Sequence, residues 1–393
     1  MMDRAALVQR LERLAPGAMH FARRIRSAAR RRLSKDPAIA NRRPRLDSEP
    51  WFLDRLAVEA GMLEVRGWAF PPVGWFGVAP PRFAVNGKPL APLAREARPD
   101  VGEKFWQREH AAEGGFTGRV PMTHADAYPG GMLEIAYLNP PAKLPLSLRH
   151  RWFALDPALE PALPSARQRH RVIGNEDPAG FLLTGATDFH RLDRALLAAT
   201  GRSFGDCACI LDWGVGCGRL ARYATRLCPE TFTGCDVDAD NIAWCAKALP
   251  GRYVHTSMFP PLPFADGAFD AVYGVSVFTH LREELQDRWL EELRRIVRPG
   301  GVVLATVHGR TAIEYAGLRP EAFVDLGNAV EKAGLFVASD NDQLDGAVEH
   351  AREYVNVFHS SRYVRERWSR AFEVRQIVPG YIFTHDLVIL VRR

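Results

Sequence analysis

The order of apolar and polar positions divides the chain into two regions. In residues 46–156, short runs of alternating apolar and polar residues are separated by turn signals such as Asn86-Gly87 and Pro129-Gly130-Gly131. Several short strands at this spacing predict a small all-β sandwich domain. In residues 173–393, apolar strand-like runs alternate with helical stripes, which predicts an α/β domain with a doubly wound sheet.

Three further segments differ from these two patterns. Residues 1–45 carry two short helical stripes of apolar residues, the second flanked by arginines, and predict a basic amphipathic helical arm. Residues 157–172 are rich in proline and predict a linker. Residues 310–361 are long and mixed, and we interpret them as a substrate-selecting insertion, because connections after strand ends carry specificity in this architecture.

The stretch Ile210 to Leu220, ILDWGVGCGRL, predicts a strand that runs into a glycine-rich loop and then a helix. Glycines at 214, 216 and 218 let the backbone approach a ligand closely. A helix amino terminus after such a loop offers unpaired N–H groups to the carboxylate or phosphate of a nucleotide. In a chain with 32 glycines, the same triplet also fits an ordinary tight turn.

A second acidic residue favours the nucleotide-binding interpretation. Asp236 ends the strand-like segment TFTGCDVD, 24 residues after Asp212 and across one helix. A carboxylate at this place can accept hydrogen bonds from both ribose hydroxyls. Because doubly wound nucleotide-binding sheets share this spacing, a nicotinamide-dependent enzyme remains open on these two features.

Four segments, in order, resemble the class I S-adenosylmethionine-dependent methyltransferases. They are LDWGVGCG, CDVDADNIAWC, PPLPFADGAFDAVYGVSVFTHL and ELRRIVRPGGVVLATVHG, and the resemblance covers roughly residues 173–393. Val215 and Cys217 depart from the family pattern, because they occupy small positions between the glycines. The resemblance implies a seven-stranded Rossmann-like sheet whose last strand runs antiparallel between two others.

The resemblance also implies that S-adenosylmethionine is the cofactor. The residues expected to contact it are Asp212, Gly214, Gly216, Gly218, Asp236, Val237, Ser257, Met258 and Ser276. Asp212 either holds the loop through backbone hydrogen bonds or reaches the amine of the methionine moiety. In such enzymes the segment before the first strand often covers the cofactor, and Thr184-Gly185 is where we expect its closest approach.

The candidate catalytic residues are predicted from their positions near the ends of strands and the starts of helices. His308 follows the predicted fifth strand and is the first candidate for a general base, and His280, at a predicted helix start, is the second. For both, a structural role is the alternative. Tyr354, His359 and Tyr363 are candidates to line the substrate side of the insertion.

The predicted sandwich resembles modules attached to glycan-modifying enzymes, through RGWAF, VNG, RPDV and GGF. This favours O-methylation of a sugar, glycan or small-molecule hydroxyl by direct in-line transfer, with lipids and protein side chains left open. Four aromatic residues of this region fit a core as well as a sugar platform: Trp68, Trp75, Phe76 and Trp106. No carboxylate cluster indicates a metal, so no metal is expected.

The net charge of +6 is unevenly distributed. Residues 1–45 hold 13 Lys or Arg against 3 Asp or Glu, a balance of +10, so the rest of the chain carries −4. Such an arm fits contact with a partner protein or an anionic membrane surface. Nucleic acid is not expected as a partner, because neither a recognition helix nor an aromatic-studded basic strand accompanies the arm.

These features together predict a cytoplasmic protein, with the arm as a means of peripheral contact with the inner membrane face. No apolar run approaches the ~20 residues needed to span a bilayer. Charges interrupt residues 1–20, where a secretory signal would need an apolar core. All six cysteines lie within residues 207–245 without paired C-x-x-C motifs, which favours buried, reduced thiols over a zinc cluster.

Two other functions compete with methyl transfer. A noncatalytic S-adenosylmethionine-binding or scaffold protein of a glycan-assembly complex would share the fold, but the intact glycines and both aspartates argue against a degenerate site. An NAD(P)-dependent oxidoreductase would share the loop and Asp236. The chain shows no Tyr-x-x-x-Lys pair, however, and carries an RPGG junction that is foreign to that class.

Overall fold

The computed structural model describes residues 51–70, 81–108, 110–138, 150–341, 344, 346 and 348–393. The arm predicted for residues 1–45 lies outside these residues, as do Trp75 and Phe76. The described residues form an N-terminal domain of antiparallel sheets and a C-terminal α/β domain. None of the helices in this part of the chain is long and apolar enough to cross a membrane.

The N-terminal domain consists mainly of antiparallel strands. Over its described residues they form two four-stranded sheets, in the orders β1-β2-β6-β5 and β4-β3-β7-β8. The strands are β1 (Trp51–Glu59), β2 (Met62–Ala69), β3 (Phe83–Val85), β4 (Lys88–Pro89), β5 (Ala94–Glu96), β6 (Gly115–Pro121), β7 (Met132–Tyr137) and β8 (Arg151–Leu155). Helices α1 (Pro99–Lys104) and α2 (His124–Ala127) lie in the connections.

Apolar residues from both sheets share one core. Phe83 on β3 contacts Phe116 on β6 with ring centroids 4.6 Å apart, so the two sheets face each other. Trp51 on β1 likewise packs edge-on against Trp152 on β8, and both are buried. The β3–β4 hairpin turns at Asn86-Gly87, where both residues take positive φ, as this dipeptide predicts.

The C-terminal domain is organised around a sheet of seven strands among its described residues. The order is β11-β10-β9-β12-β13-β17-β16, with parallel pairing except where β17 runs antiparallel to β13 and β16. The strands are β9 (Ile210–Trp213), β10 (Phe232–Asp236), β11 (Arg252–His255), β12 (Phe269–Gly274), β13 (Val297–Val307), β16 (Glu373–Ile382) and β17 (His385–Val391). A separate hairpin joins β14 (Leu335–Asp340) to β15 (Val355–His359).

Helices cover both faces of the seven-stranded sheet. They are α3 (Ala166–Ile173), α4 (Pro178–Thr200), α5 (Ala221–Leu227), α6 (Ala239–Ala248), α7 (Glu283–Ile296), α8 (Arg310–Tyr315), α9 (Pro320–Ala333) and α10 (Ser361–Trp368). Ile210 on β9 packs in the core with α4 to α6, and the next residue, Leu211, packs in the core with α7 and α10. Burial on both faces is the reason that the central strands are nearly continuous apolar runs.

Where β8 meets α4, each domain contributes side chains to the core of the other. Leu183 of α4 belongs to the N-terminal core, whereas Phe153 and Leu155 of β8 belong to the core of the α/β domain. The Phe153 N–H donates to Thr187 Oγ1 at 3.0 Å. The first domain is therefore packed directly on a helix of the second.

Two local predictions are wrong. The linker predicted for residues 157–172 contains most of helix α3, because Ser165 and Gln168 form a capping box at its start. His280 lies in a short 3-10 turn, Phe278–His280, and the long helix begins later, at Glu283.

Candidate active site

The glycine loop follows β9 at the carboxyl edge of the sheet. Gly214, Gly216 and Gly218 have φ values of 80°, 54° and 81°, which residues with a side chain rarely adopt. The N–H groups of Gly214 and Val215 donate to the Cys235 carbonyl at 2.9 and 3.0 Å, which ties the loop to β10. A Cβ atom at Gly214 would lie 2.5 Å from Val277 Cγ2. This loop shape therefore depends on glycine.

Asp236 ends β10 beside the loop and holds it in place. Its Oδ2 accepts a hydrogen bond from the Gly216 N–H at 2.7 Å, and its Oδ1 accepts one from the Asp238 N–H at 2.8 Å. A carboxylate has about four lone-pair sites, so both oxygens can also accept ribose hydroxyls. Burial raises the pKa of Asp236 to about 6, although the two N–H donors favour the charged form.

Asp212 lies in the middle of the sheet and is 3% exposed. Its Oδ2 has no hydrogen-bond partner among the described residues, whereas the Tyr273 hydroxyl lies near the carboxylate and favours its charged form. Burial, with the nearby charge of Asp236, raises the pKa of Asp212 to about 8. Of the two predicted roles, anchoring the loop has no hydrogen bond to support it, whereas an unpaired buried oxygen suits a positively charged amine.

Helix α3 lies over the glycine loop, where the sequence predicted a linker. A Cβ atom on Gly216 would lie 3.0 Å from Val172 Cγ2, near the end of α3. Arg171 of the same helix forms a buried ion pair with Asp238. The Ser-x-x-Gln capping pattern is the sequence signal that could have revealed this helix and its contact with the loop.

Helix α4 packs against the loop from the side of the N-terminal domain. A Cβ atom on Gly185 would lie 2.6 Å from the Arg219 carbonyl oxygen, so the helix reaches the loop at the predicted position Thr184-Gly185. Arg219 also pairs with Asp188 of α4 at 2.7 Å, and both side chains are buried. This ion pair could not be predicted, because no pattern in the sequence links Asp188 to Arg219.

The other predicted cofactor contacts lie at the same edge of the sheet. The carbonyl of Val237, after β10, accepts a hydrogen bond from His255 Nε2 at 3.1 Å. Ser257 is exposed and its Oγ accepts from the Phe259 N–H at 3.1 Å, whereas Met258 is buried. Contact of Ser257 and Met258 with adenine stays a prediction.

Ser276 follows β12 and has a φ of 62°, which is strained for a residue with a side chain. Its N–H donates to Thr306 Oγ1 at 2.8 Å, and its Oγ lies 3.3 Å from His280 Nε2. Thr306 Oγ1 is also 3.2 Å from His385 Nδ1. Ser276 therefore links the ends of β12 and β13 to two of the histidines nearby. Strain of this kind clusters at functional sites.

Four histidines surround the carboxyl end of β13. The ring of His308 lies 6.0 Å from that of His280 and 4.7 Å from that of His385. The backbone N–H of His359 donates to the His308 carbonyl at 2.8 Å. His385 was not predicted, because it opens an ordinary apolar strand. The described ranges contain no group of three or more His, Cys, Asp or Glu placed to hold a metal ion.

His308 is engaged at one ring nitrogen. Its Nδ1 lies 3.2 Å from the Val357 carbonyl, which can only accept, so Nδ1 carries the proton and Nε2 keeps its lone pair. No described residue forms a hydrogen bond with Nε2. Desolvation lowers the pKa of His308 to about 4, so the ring is neutral near pH 7 and is a weaker base than an ordinary histidine.

His280 is held at both ring nitrogens. Its Nδ1 lies 3.0 Å from the Val355 carbonyl and its Nε2 3.3 Å from Ser276 Oγ. Tyr354 stacks on the ring with centroids 4.2 Å apart, and both burial and the charge of Asp236 raise the pKa of Tyr354. Tyr354 therefore lies between Asp236 and the histidines, whereas His280 has the contacts of a structural residue.

The other two predicted substrate residues, His359 and Tyr363, both contact α7. His359 Nε2 is 2.9 Å from the side-chain nitrogen of Gln286 on α7. The Tyr363 hydroxyl donates to Glu283 Oε1, also on α7, at 3.0 Å. The structure thus brings Tyr354 to the candidate site and places His359 and Tyr363 in the packing between the insertion and α7.

The buried histidines predict a loss of stability in acid. Burial lowers the pKa of His280 and His359 to about 3 and that of His308 to about 4, and that of His385 also falls well below its ordinary value. Between pH 6.5 and 4 these four histidines therefore bind more protons in the unfolded chain than in the folded chain, which lowers stability as pH falls, and the raised pKa values of Asp212 and Asp236 offset part of this loss. Each pKa unit corresponds to about 1.4 kcal/mol. We expect the melting temperature to drop steeply between pH 7 and pH 5.

The control for this acid effect is the exposed His124, since its replacement by Gln should leave the pH dependence unchanged. Replacement of the buried His280 by Asn should flatten the pH dependence. A melting temperature of the natural chain that is constant from pH 7 to pH 5 would contradict the expectation.

Part of the C-terminal domain is similar to known methyltransferases. Residues 211–305 match the family model described as a methyltransferase domain. The chain is 32% identical over 135 residues to the fatty-acid O-methyltransferase of Mycolicibacterium smegmatis, covering 33% of this chain and 48% of that protein. It is 36% identical over 100 residues to phthiotriol/phenolphthiotriol dimycocerosates methyltransferase 1 of Mycobacterium ulcerans, covering 25% and 36%.

A third relative is the tRNA (carboxymethyluridine(34)-5-O)-methyltransferase of Arabidopsis thaliana, 36% identical over 100 residues that cover 25% of this chain and 23% of that protein. The chain thus spans less than half the length of each of these three relatives. A solved S-adenosylmethionine-dependent methyltransferase of Mesorhizobium loti aligns with 50% of this chain and 96% of its own, at 15% identity and a TM-score of 0.36.

The matched segment runs from β9 through the glycine loop and Asp236 into β13, so it contains the predicted cofactor residues and ends before His308. Residues 211–305 are therefore similar to a methyltransferase domain, and the sheet that contains them has the strand order implied by the resemblance to class I S-adenosylmethionine-dependent methyltransferases.

Proposed function

We propose that the protein transfers a methyl group from S-adenosylmethionine to a hydroxyl group of a small molecule, sugar or glycan. The observation that carries this proposal is the state of His308, a neutral imidazole with an open Nε2 at the end of β13. A hydroxyl acceptor needs a base to take its proton, whereas an acceptor that is already anionic does not.

The chain's residues fit the cofactor. Asp236 would accept the ribose hydroxyls, and the glycine loop would present backbone N–H groups to the methionine carboxylate. The unpaired Oδ2 of Asp212 would meet the cofactor's amine. When bound, S-adenosylmethionine supplies a methyl group that is already activated on a sulfonium.

The protein's tasks are then to align the acceptor, exclude water and remove one proton. His308 Nε2 accepts the hydroxyl proton as the acceptor oxygen gains the methyl group, while Nδ1 stays bonded to the Val357 carbonyl. The imidazolium that forms lies beside His280 and His385. Burial keeps those two rings neutral, so a single positive charge develops in the cluster.

The acceptor class is a finer part of the proposal. By their names, the three relatives act on a fatty acid, on phthiotriols and on tRNA, so they favour no single acceptor. In the N-terminal domain, Trp68 is buried against Phe70 and Phe105, and Trp106 packs on Phe323 of α9. Neither tryptophan forms an open sugar platform. We therefore place the acceptor beside His308, and the sugar or glycan class rests on the sequence resemblance.

Location and partners are proposals as well. The balance of +10 in residues 1–45 supports contact between this arm and an anionic membrane surface or a partner protein. A cytoplasmic location agrees with the six cysteines, which are free thiols, five of them buried. The arm lies outside the described residues, so these proposals stand on its sequence.

Calorimetry tests the proposed cofactor. We expect S-adenosylmethionine and S-adenosylhomocysteine to bind and NAD to give no heat. Because Asp212 has a pKa of about 8 and its charged form suits the cofactor's amine, binding at pH 7 should release up to about one proton. Titrations in buffers of different ionisation enthalpy measure this release, and Asp212→Asn should abolish it.

Transfer itself is tested with methyl-labelled S-adenosylmethionine and a panel of hydroxyl-bearing sugars, metabolites and lipids. Heat with NAD in place of S-adenosylmethionine would favour the oxidoreductase. Tight S-adenosylmethionine binding without transfer to any acceptor would favour the noncatalytic alternative.

A further inference from the structure

Helix α8 begins two residues after His308 and is deeply buried. Its residues from Thr311 to Tyr315 are all buried, although the helix is short. On one side it packs against β16 and β17 of the sheet. On the other side it meets the N-terminal domain, so α8 is enclosed between the two domains.

The N-terminal residues that cover α8 come from one segment, 104–108. Phe105 contacts Tyr315 edge-on, with ring centroids 4.9 Å apart. Arg108 Nε donates to Glu314 Oε1 at 3.3 Å, and the Glu314 side chain is fully buried. Removing a cation from a buried carboxylate is strongly destabilising, so this contact helps to hold α8 in place.

Trp106 of the same segment holds the chain just after α8. Its indole Nε1–H donates to the Leu318 carbonyl at 2.9 Å. Its ring lies edge-on to Phe323 of α9, with centroids 5.8 Å apart. The segment therefore contacts both the end of α8 and the connection from α8 to α9.

A single residue separates His308 from α8. Gly309 joins them, and a Cβ atom there would lie 1.9 Å from Asp386 Oδ2. Asp386 in turn accepts the Gly380 N–H at 2.9 Å and follows His385 directly. A shift of α8 would therefore move His308 against a closely packed neighbour.

We propose that residues 104–108 of the N-terminal domain position His308 by holding α8 against the sheet, with Trp106 and Arg108 as positioning residues. The N-terminal domain would then be part of the methyl-transfer machinery rather than a separate recognition module. The catalytic consequence rests on the function proposed above, whereas the positioning of His308 does not.

The test uses the full chain with Trp106→Ala and with the conservative Trp106→Phe, which keeps an aromatic ring but loses the indole N–H. Arg66→Ala is the matched control, because it removes an ion pair with Glu96 within the N-terminal sheets. Histidine ring signals are followed by NMR against pH, with His308 assigned from its absence in His308→Gln. Trp106→Ala should raise the pKa of His308 by about one unit as the ring becomes less buried, Trp106→Phe by less, and Arg66→Ala not at all.

Turnover should fall about ten- to hundredfold in Trp106→Ala, with unchanged S-adenosylmethionine affinity. An unchanged His308 titration in folded Trp106→Ala overturns the positioning role. If that variant does not fold, the same titration of Trp106→Phe decides, and no change there overturns the role too. A shifted His308 titration with normal turnover leaves the positioning intact and instead removes His308 as the base.

Discussion

His308→Gln is expected to lower the single-turnover rate of methyl transfer about 10²- to 10⁴-fold, which is the usual contribution of a general base. Glutamine has no group that can take a proton near neutral pH, although its amide can still reach the Val357 carbonyl. Cofactor affinity should not change, because His308 is not among the predicted cofactor contacts. Single-turnover rate and S-adenosylmethionine affinity are measured on the same preparation.

The matched control is His280→Gln. Both nitrogens of His280 are engaged and the ring is 5% exposed, so this change should lower the melting temperature more than the rate. The opposite pattern, a near-normal rate in His308→Gln and a large rate loss in His280→Gln, would move the base to His280. A near-normal rate in both would direct attention to His385, the neighbour of His308 at 4.7 Å.

Asp236→Ala should weaken S-adenosylmethionine binding by about 30- to 1,000-fold. The loss of two charge-assisted contacts to ribose is on the order of 2 to 4 kcal/mol. The structure adds a second cause, because this carboxylate also accepts the N–H groups of Gly216 and Asp238. The glycine loop should therefore loosen in the variant, and the melting temperature should fall modestly rather than stay constant. Calorimetry and a thermal melt measure both effects.

Asp240→Ala serves as the control, since this exposed carboxylate lies in the first turn of α6, four residues away. It should bind the cofactor normally. Asp236→Asn keeps one acceptor oxygen and should fall between the natural chain and Asp236→Ala. Unchanged affinity in Asp236→Ala would remove Asp236 from the cofactor site.

The sheet and its glycine loop could be predicted because local sequence determines them. Asp236, the second acidic residue, ends β10 as predicted. The positive φ values in the loop at Gly214, Gly216 and Gly218 follow from glycine being the residue that adopts them without strain. Where one residue type is required by backbone geometry, the sequence is sufficient.

The features that could not be predicted depend on contacts between residues far apart in the sequence. His385 approaches His308 because β17 runs antiparallel to β13, and no pattern around His385 marks it. The sequence predicts either a core position or a sugar platform for Trp106. In the structure its indole N–H donates to the Leu318 carbonyl, 212 residues away. His359 turned toward Gln286 because β15 pairs with β14 rather than joining the main sheet. Spacing along the chain does not encode such pairings.

The exchange of side chains between β8 and α4 bears on how the protein unfolds. Phe153 and Leu155 fill the core of the α/β domain, and Leu183 fills the core of the sheets before it. A cut near residue 160 would expose apolar surface on both products, at about 1.5 to 3 kcal/mol for each large side chain. We therefore expect the two domains, although distinct in sequence texture, to melt as a single cooperative unit.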